Sequence, residues 1–393
     1  MTQPKSIIRR VKNDKEIKLF VDAHVFDDKP QGTRTFIKEI YLILAKLPGI
    51  RLYLGAYDTD SLAALFPPGE SVVLVKYKSR SGLRRLLFDI PGIVRRYGID
   101  YAHFQYMTPP WKNCRQIVTI HDVIFNDFPE EFSWSYRVRK RLLYGLAARR
   151  ADILTTVSEF SRGSIKKYLH TGARPIHVVP NGVSEKFFQP FDSRRSAGYI
   201  RDKYGVERYI LYVSRIEPRK NHLMILRAWL ELKLYEQGFH LVFLGHETIP
   251  VPDLDRLVAA LPAEAKRYLL IDSEVKDEDL LEMYRAATLF VYPSKAEGFG
   301  IPPLEAAALR VPVLCSNTSA MKDFSFFGEN HLDPYDYPAF RQRLHDVLST
   351  PPDKAYLEEV ATLIRREYSW DGSARKLYRL LVREGKNTTL AHS

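Results

Sequence analysis

The chain has 393 residues, 45% of them apolar and 27% charged, enough apolar content to bury a substantial core and too much for a disordered chain. No run approaches the ~18 continuous apolar residues of a membrane span, and the N-terminal MTQPKSIIRRVKNDKEIKLF is too charged for a signal peptide, so the chain is expected in the cytosol. The net charge of +12 is uneven: residues 1–190 hold 31 Lys/Arg against 18 Asp/Glu, and residues 191–393 hold 28 against 29, so the first half is expected to face something anionic, a membrane leaflet or a nucleic acid.

In chain order, the first half alternates apolar runs with helix-length segments: 17–23, a helical stretch around Phe36–Leu47, then 51–57, 71–77, 100–105, 114–123, 151–158 and 175–182. The second half repeats the scheme with 208–215, 239–245, 268–275, 289–294 and 311–317. Several runs are apolar throughout, as strands covered by helices on both faces must be. The pattern predicts two doubly wound α/β domains in tandem. A turn at Pro180-Asn181-Gly182 and the polar stretch after it put the division at residue 190: domains 1–190 and 191–367, then a helix over Asp371–Glu384 within 368–393, ending in a frayed polar tail. Cys114 and Cys315 lie in or beside apolar runs and read as buried thiols without chemistry.

No GxxxxGK[ST] is present, no GxGxxG follows a strand at the start of either domain, and HExxH, GxSxG and Cys/His clusters are missing. The most unusual stretch is Glu297-Gly298-Phe299-Gly300-Ile301-Pro302-Pro303-Leu304-Glu305. Its glycines let the backbone approach a ligand, a proline suits the first helical turn, and the helix N-terminus offers unpaired N–H groups to an anion such as a diphosphate. Glu297 and Glu305, divided by the Gly/Pro loop, can bracket a ligand as acceptors for sugar hydroxyls; a capping carboxylate and a dipole partner are an equally good reading of the pair alone. Upstream, Ser214-Arg215-Ile216-Glu217-Pro218-Arg219-Lys220-Asn221 ends a predicted parallel strand, where such sheets bind ligands. Arg215 and Lys220 would neutralise a leaving diphosphate, whereas a solvated basic loop capped by Asn221 is the bland reading.

Together these stretches resemble the retaining glycosyltransferases of family 4, whose GT-B architecture has two facing Rossmann-like domains. VPNGV (179–183) is similar to the family's interdomain connection, DEDLLEMYRAA (277–287) to the helix beside the nucleotide base, and EYSW (367–370) to the approach to a terminal helix that crosses back to the first domain. The resemblance implies an acceptor-binding first domain and a donor-binding second one. It implies that Glu305 binds the ribose, that Glu297 holds the transferred sugar, and that Arg215 and Lys220 hold the diphosphate with the backbone around Gly298, Phe299, Gly300 and Ile301. It further implies that His121 in TIHDV lines the sugar pocket, that Val275 belongs to the donor site, and that Gly32 in KPQGTRTF (29–36) stands in for a glycine-rich loop near the phosphates, with Arg34 compensating for the missing second glycine.

The implied chemistry is a same-face transfer needing charge stabilisation on the leaving diphosphate, with no metal and no cofactor beyond the sugar nucleotide. TIHDVIFNDFPEEF (119–132) is most similar to the family's mannosyl- and rhamnosyltransferases, which implies GDP-mannose as donor. A metal-binding Asp58-Thr59-Asp60 is the competing reading, but Asp60 or Ser61 serves as well as a helix cap. The basic segments 76–97 and 134–150 mix Arg/Lys with aromatic and aliphatic residues, as a helix on an anionic membrane does; packing of their apolar residues into the domain accounts for them equally well. With no nucleic-acid module in view, the expected partners are a sugar nucleotide, a glycan or lipid-linked acceptor, and an anionic membrane surface on the cytoplasmic side. The alternative classes are a GT-B-like sugar-nucleotide epimerase and a non-catalytic scaffold.

Overall fold

The computed structural model describes residues 16–27 and 32–389. Seven strands form the first sheet: β1 (Ile17–Asp22), β2 (Ile50–Ala56), β3 (Val72–Lys76), β4 (Tyr101–Gln105), β5 (Arg115–Thr119), β6 (Ile153–Thr156) and β7 (Ile176–Val178), in the order 3-2-1-4-5-6-7. Six form the second: β8 (Arg208–Val213), β9 (Phe239–Leu244), β10 (Leu269–Asp272), β11 (Leu289–Tyr292), β12 (Val313–Ser316) and β13 (His331–Leu332), in the order 10-9-8-11-12-13. The strand pairings are parallel, with β8 registering Ile210 against Leu241 on one side and Leu289 on the other. Both orders reverse beside the first strand of the sheet, which opens a crevice at the strands' carboxyl ends. The two-residue β13 is too short to leave a hydrophobic period in the sequence.

The helices that matter below are α1 (Gly32–Leu44), α2 (Trp134–Arg150), α3 (Glu159–Leu169), α4 (His222–Glu231), α5 (Asp277–Ala286), α6 (Ile301–Ala308) and α7 (Trp370–Thr389). The chain packs as two compact units whose segments interleave. Residues 1–119, 146–155 and 374–393 make one unit, and residues 120–145 and 156–373 make the other. By this division residues 120–145 and 156–190 fall in the second unit, although β7 within them is a strand of the first sheet. From Ala374 onward α7 belongs to the first unit, where the Tyr378 hydroxyl donates to the Pro48 carbonyl at 3.0 Å. The tail expected to fray after Glu384 continues the helix to Thr389, and residues 390–393 lie outside the described residues, as does the 29–31 part of the KPQG segment.

In the first unit, Phe20, Tyr53, Val75, Ile90 and Phe104 pack as one apolar cluster. The basic segment 76–97 is not one amphipathic helix there. A short helix, Gly82–Arg84, runs into a π-helical turn, Arg85–Asp89, and then a helix over Ile90–Tyr97. The physical reason is Arg85, which turns inward so that its Nε lies 3.3 Å from Asp22, a carboxylate that also accepts the Tyr77 hydroxyl at 2.8 Å and faces His24 Nδ1 at 3.1 Å. Burial alone would raise the Asp22 pKa, but His24 and Arg85 prevail and hold it at about 2. In the Asp58-Thr59-Asp60 turn Asp58 itself is the cap, accepting from Asp60 N and Ser61 N at 3.1 and 3.3 Å, instead of Asp60 or Ser61.

In the second unit the core is aromatic. Trp229, Tyr209, Tyr212, Tyr284, Phe243 and Phe290 are fully buried, and the Trp229 indole donates to the Phe239 carbonyl at 2.9 Å. His222 packs between Tyr212 and Phe243, with ring centroids 4.5 and 4.9 Å away. Cys315 is buried, whereas Cys114, in the first unit, is only half-buried, its thiol pushed up to about 12 by burial. Gly182, in the VPNGV stretch, lies against the start of α7: a Cβ there would stand 2.5 Å from the backbone nitrogen of Trp370 and 2.8 Å from the carbonyl carbon of Ser369. Backbone atoms cannot move aside as a flexible side chain can. Gly182→Ala is therefore expected to destabilise the protein by about 1–3 kcal/mol, measured as a lower urea midpoint, while an unchanged midpoint would show that this approach is not close.

Candidate functional site

The site is built at the carboxyl ends of β8 and β11. After β8 the chain makes a tight turn over Pro218–Lys220 and closes it with Asn221 at φ 62°, a left-handed conformation that Asn tolerates. The Asn221 side chain does not cap α4; it donates to the carbonyls of Pro334 and Pro293 at 2.9 and 3.3 Å, tying the turn to neighbouring loops. The Tyr212 hydroxyl donates to the Lys220 carbonyl at 2.6 Å. These bonds fix the backbone of a residue whose side chain is buried.

That side chain forms an ion pair with Glu297, whose Oε1 also accepts the Tyr292 hydroxyl at 2.9 Å. Burial alone would raise the Glu297 pKa, but the Lys220 ammonium and the Arg219 guanidinium more than offset it and hold the carboxyl below its usual range. Burial draws Lys220 downward against the pull of Glu297, with Arg219 adding to the lowering. An ion pair taken out of water costs more than it returns unless further partners satisfy it, and Tyr292 is one such partner.

A second buried network supports the first. Glu217 pairs with Arg219, accepts the Thr248 hydroxyl at 2.6 Å, and lies 3.3 Å from Nε of Arg215, whose side chain is half exposed. Arg219 also reaches Glu131 at 3.4 Å, although burial raises the Glu131 pKa. Glu217 thus joins Arg215 to the turn that carries Lys220.

The Gly/Pro loop is held in a different way, by hydroxyl groups. Ser316 Oγ donates to the Ser294 carbonyl at 2.6 Å, Thr318 Oγ1 to the Lys295 carbonyl at 2.9 Å, and Ser294 Oγ to the Ala296 carbonyl at 3.2 Å. The Glu297 amide donates to Ser319 Oγ at 2.8 Å. The Gly298 carbonyl accepts two hydroxyls, Ser158 at 2.7 Å and Ser161 at 3.1 Å. A Cβ on Gly298 would come within 2.9 Å of Asp122 Cβ, and Gly300, at φ 96°, precedes the first turn of α6. Among the described residues, the amides of Phe299, Gly300 and Ile301 find no partner. The loop is pinned up to Gly298, and three N–H groups around the N-terminus of α6 stay without a partner among the described residues, as the first amides of a helix do.

The residues named from sequence therefore divide. Glu297, Lys220, Arg215 and the Gly298–Ile301 backbone come together in the second unit. His121, expected at a strand end, lies two residues past the end of β5, because that strand stops at Thr119, and it packs with the second unit. It is buried, its pKa drawn down to about 3 by that burial, and its neighbour Asp122 meets Gly298. Glu305 is half-buried on α6 and accepts the Tyr284 hydroxyl at 3.2 Å. Val275 sits half-buried between β10 and α5. Gly32 is the first residue of α1, in the other unit, with open space around its Cβ position. Sequence reasoning passed over Glu217, Arg219, Tyr292, Ser158 and Ser161. The first two stood inside the SRIEPRKN stretch and carried a readable signal; the serines, about 140 positions from their partner, carried none.

Sequence comparison matches residues 32–187 to the family described as Glycosyltransferase Family 4 and residues 200–363 to Glycosyl transferases group 1. The chain is similar to the O-antigen chain mannosyltransferase B of Escherichia coli, 30% identical over 285 residues that cover 69% of this chain and 72% of that one. It is 26% identical over 272 residues to the serotype-specific mannosyltransferase WbdA of E. coli, where the match covers 67% of this chain and 32% of the relative, so it spans about a third of that protein's length. Among solved structures, sucrose-phosphate synthase from Thermosynechococcus elongatus aligns with a TM-score of 0.73 at 18% identity, covering 96% of this chain and all of that one. Anabaena Alr3699/HepE in complex with UDP aligns at 0.69 and 15% identity, over 93% of this chain and 100% of that one. The fold is GT-B, and the chain belongs to the family 4 glycosyltransferases.

Proposed function

We propose that the protein transfers a hexose, mannose on the strength of its relatives, from a nucleotide donor to a hydroxyl of a glycan or lipid-linked acceptor in O-antigen or polysaccharide synthesis. The observation that carries the reading is the juxtaposition in one site of the buried Lys220–Glu297 pair and the unpartnered amides of Phe299–Ile301. The relatives' names support mannosyl transfer, and the UDP held by the Anabaena structure supports a nucleotide-sugar donor. An epimerase or a scaffold draws no support from these relatives.

The donor's diphosphate lies against the amide row and the α6 N-terminus, with Lys220 and Arg215 neutralising its charge. Glu297 accepts hydrogen bonds from the sugar hydroxyls, and Glu305 from the ribose. His121, neutral because it is buried, lines the sugar pocket without carrying charge. The anomeric C–O bond to the diphosphate breaks, the acceptor oxygen bonds to the same face of that carbon, and the acceptor proton passes to the departing phosphate oxygen. Retention follows from this same-face path, and the cations already in place make a metal unnecessary.

Donor entry draws the Lys220 ammonium toward phosphate while Tyr292 keeps Glu297 hydrogen-bonded, so Lys220 counts most as charge builds on the leaving group. Lys220→Ala should lower turnover by about 10²–10³-fold, measured with a radiolabelled sugar nucleotide; near-normal turnover would sink the assignment. Thermal melting with GDP, UDP, dTDP and ADP in EDTA should show one nucleotide stabilising the protein, by about 2.7 kcal/mol at a hundredfold excess over its Kd. Stabilisation that instead requires Mg or Mn would refute metal independence.

The acceptor side carries a membrane reading. Among the described residues no helix is long and apolar enough to cross a bilayer. Yet α2 exposes Trp134, Val138 and Leu142 at four-residue spacing, Trp134 by 72% and Leu142 by 58%, and it carries six Arg/Lys and no acid. An apolar stripe with cationic flanks suits an anionic leaflet on the cytoplasmic side. The protein should co-float with phosphatidylglycerol vesicles and lose that binding in the Trp134→Ser/Leu142→Ser double variant. Equal recovery of both proteins with the vesicles would reject this surface.

A further inference from the structure

The hydroxyl clamp on Gly298 has a function of its own, which rests on the transferase reading above. We infer that Ser158 and Ser161 are positioning residues for the donor diphosphate, acting through the Gly298–Phe299 peptide bond. Ser158 and Ser161 are both buried, and both hydroxyls donate to the same carbonyl oxygen, at 2.7 and 3.1 Å, filling its two lone pairs. A trans peptide is planar, with its C=O and N–H antiparallel. Holding the Gly298 carbonyl against the start of α3 therefore turns the Phe299 N–H to the opposite side, at the head of the unpartnered row that continues through Gly300 and Ile301.

Among the described residues, no other hydrogen bond to that peptide is found. Glycine at 298 has no side chain to restrain its rotation, and Phe299 anchors only its ring, edge-on to Phe324 and Tyr368 at 6.2 and 6.1 Å. Asp122 prevents a side chain at 298, so the restraint has to come from outside the loop. Ser158 is well placed to supply it, because its Oγ also accepts the Ser161 amide at 3.0 Å as the cap of α3, which locks both serines to one helix end. The residues that aim the anion-binding amides at the donor thus come from a segment some 140 positions earlier in the chain.

The test is calorimetric titration of the full chain with GDP, UDP, ADP and dTDP and with the matching monophosphates. The readout is the ratio of diphosphate to monophosphate affinity, which general loosening of the fold does not move selectively. In the Ser158→Ala/Ser161→Ala double variant this ratio should fall by about tenfold, the worth of one charge-assisted hydrogen bond. Ser161→Ala alone keeps the helix cap and should show a smaller fall in the same direction, which covers a double variant that does not fold. Ser158→Thr, retaining the hydroxyl, should restore the ratio. An unchanged ratio in folded variants overturns the positioning role and leaves the transferase reading standing. A wild-type chain that binds no nucleoside diphosphate overturns both.

Discussion

A buried charge must be matched where it lies, and the site on the second sheet is organised around meeting that demand twice. Lys220 and Glu297 compensate each other, and Tyr292 supplies a further hydrogen bond. Arg219 is matched by Glu217 and Glu131, and Glu217 in turn holds Arg215. Truncating one partner of such a pair exposes the other to an uncompensated low-dielectric environment, so the two networks restrict where each cation can sit. The chemistry proposed for the site uses that restriction: cations fixed before the donor arrives need little reorganisation when charge appears on the leaving group.

The second organising element is the asymmetry of the Gly/Pro loop. From Ser294 to Gly298 the carbonyls of Ser294, Lys295, Ala296 and Gly298 accept side-chain hydroxyls. Beyond Gly298 the amides are left open. A loop built of glycine and proline would ordinarily be loosely specified, and here serine and threonine hydroxyls supply the specification that its own side chains cannot.

Much of this was legible in the sequence. The twelve apolar runs fall on β1 to β12, several of them apolar throughout because strands covered on both faces are, and the Glu297–Glu305 and Arg215–Lys220 stretches stand out by composition alone. What was hidden was hidden for physical reasons. Two residues of β13 are below any periodicity, and the inward turn of Arg85 contradicts the rule that arginine lies outside. The cap at Asp58 was displaced by two or three positions from its expected place because carboxylates and hydroxyls compete for the same amides. Ser158 and Ser161 stand at the start of α3, and only the folded chain brings Gly298 to them.

The interleaving of the two units bears on how the protein is made. The chain passes between units at residues 119/120, 145/146, 155/156 and 373/374. During synthesis from the N-terminus, the first unit is not complete when β1 to β6 have emerged, because α7 from Ala374 onward belongs to it. The second unit likewise needs segments from both sides of the first unit's short insertion at 146–155. Multidomain chains usually complete an N-terminal domain before the next begins. Here the second unit runs to Ser373 and the first resumes at Ala374, so unfinished apolar surface persists in both until that part of the chain has emerged.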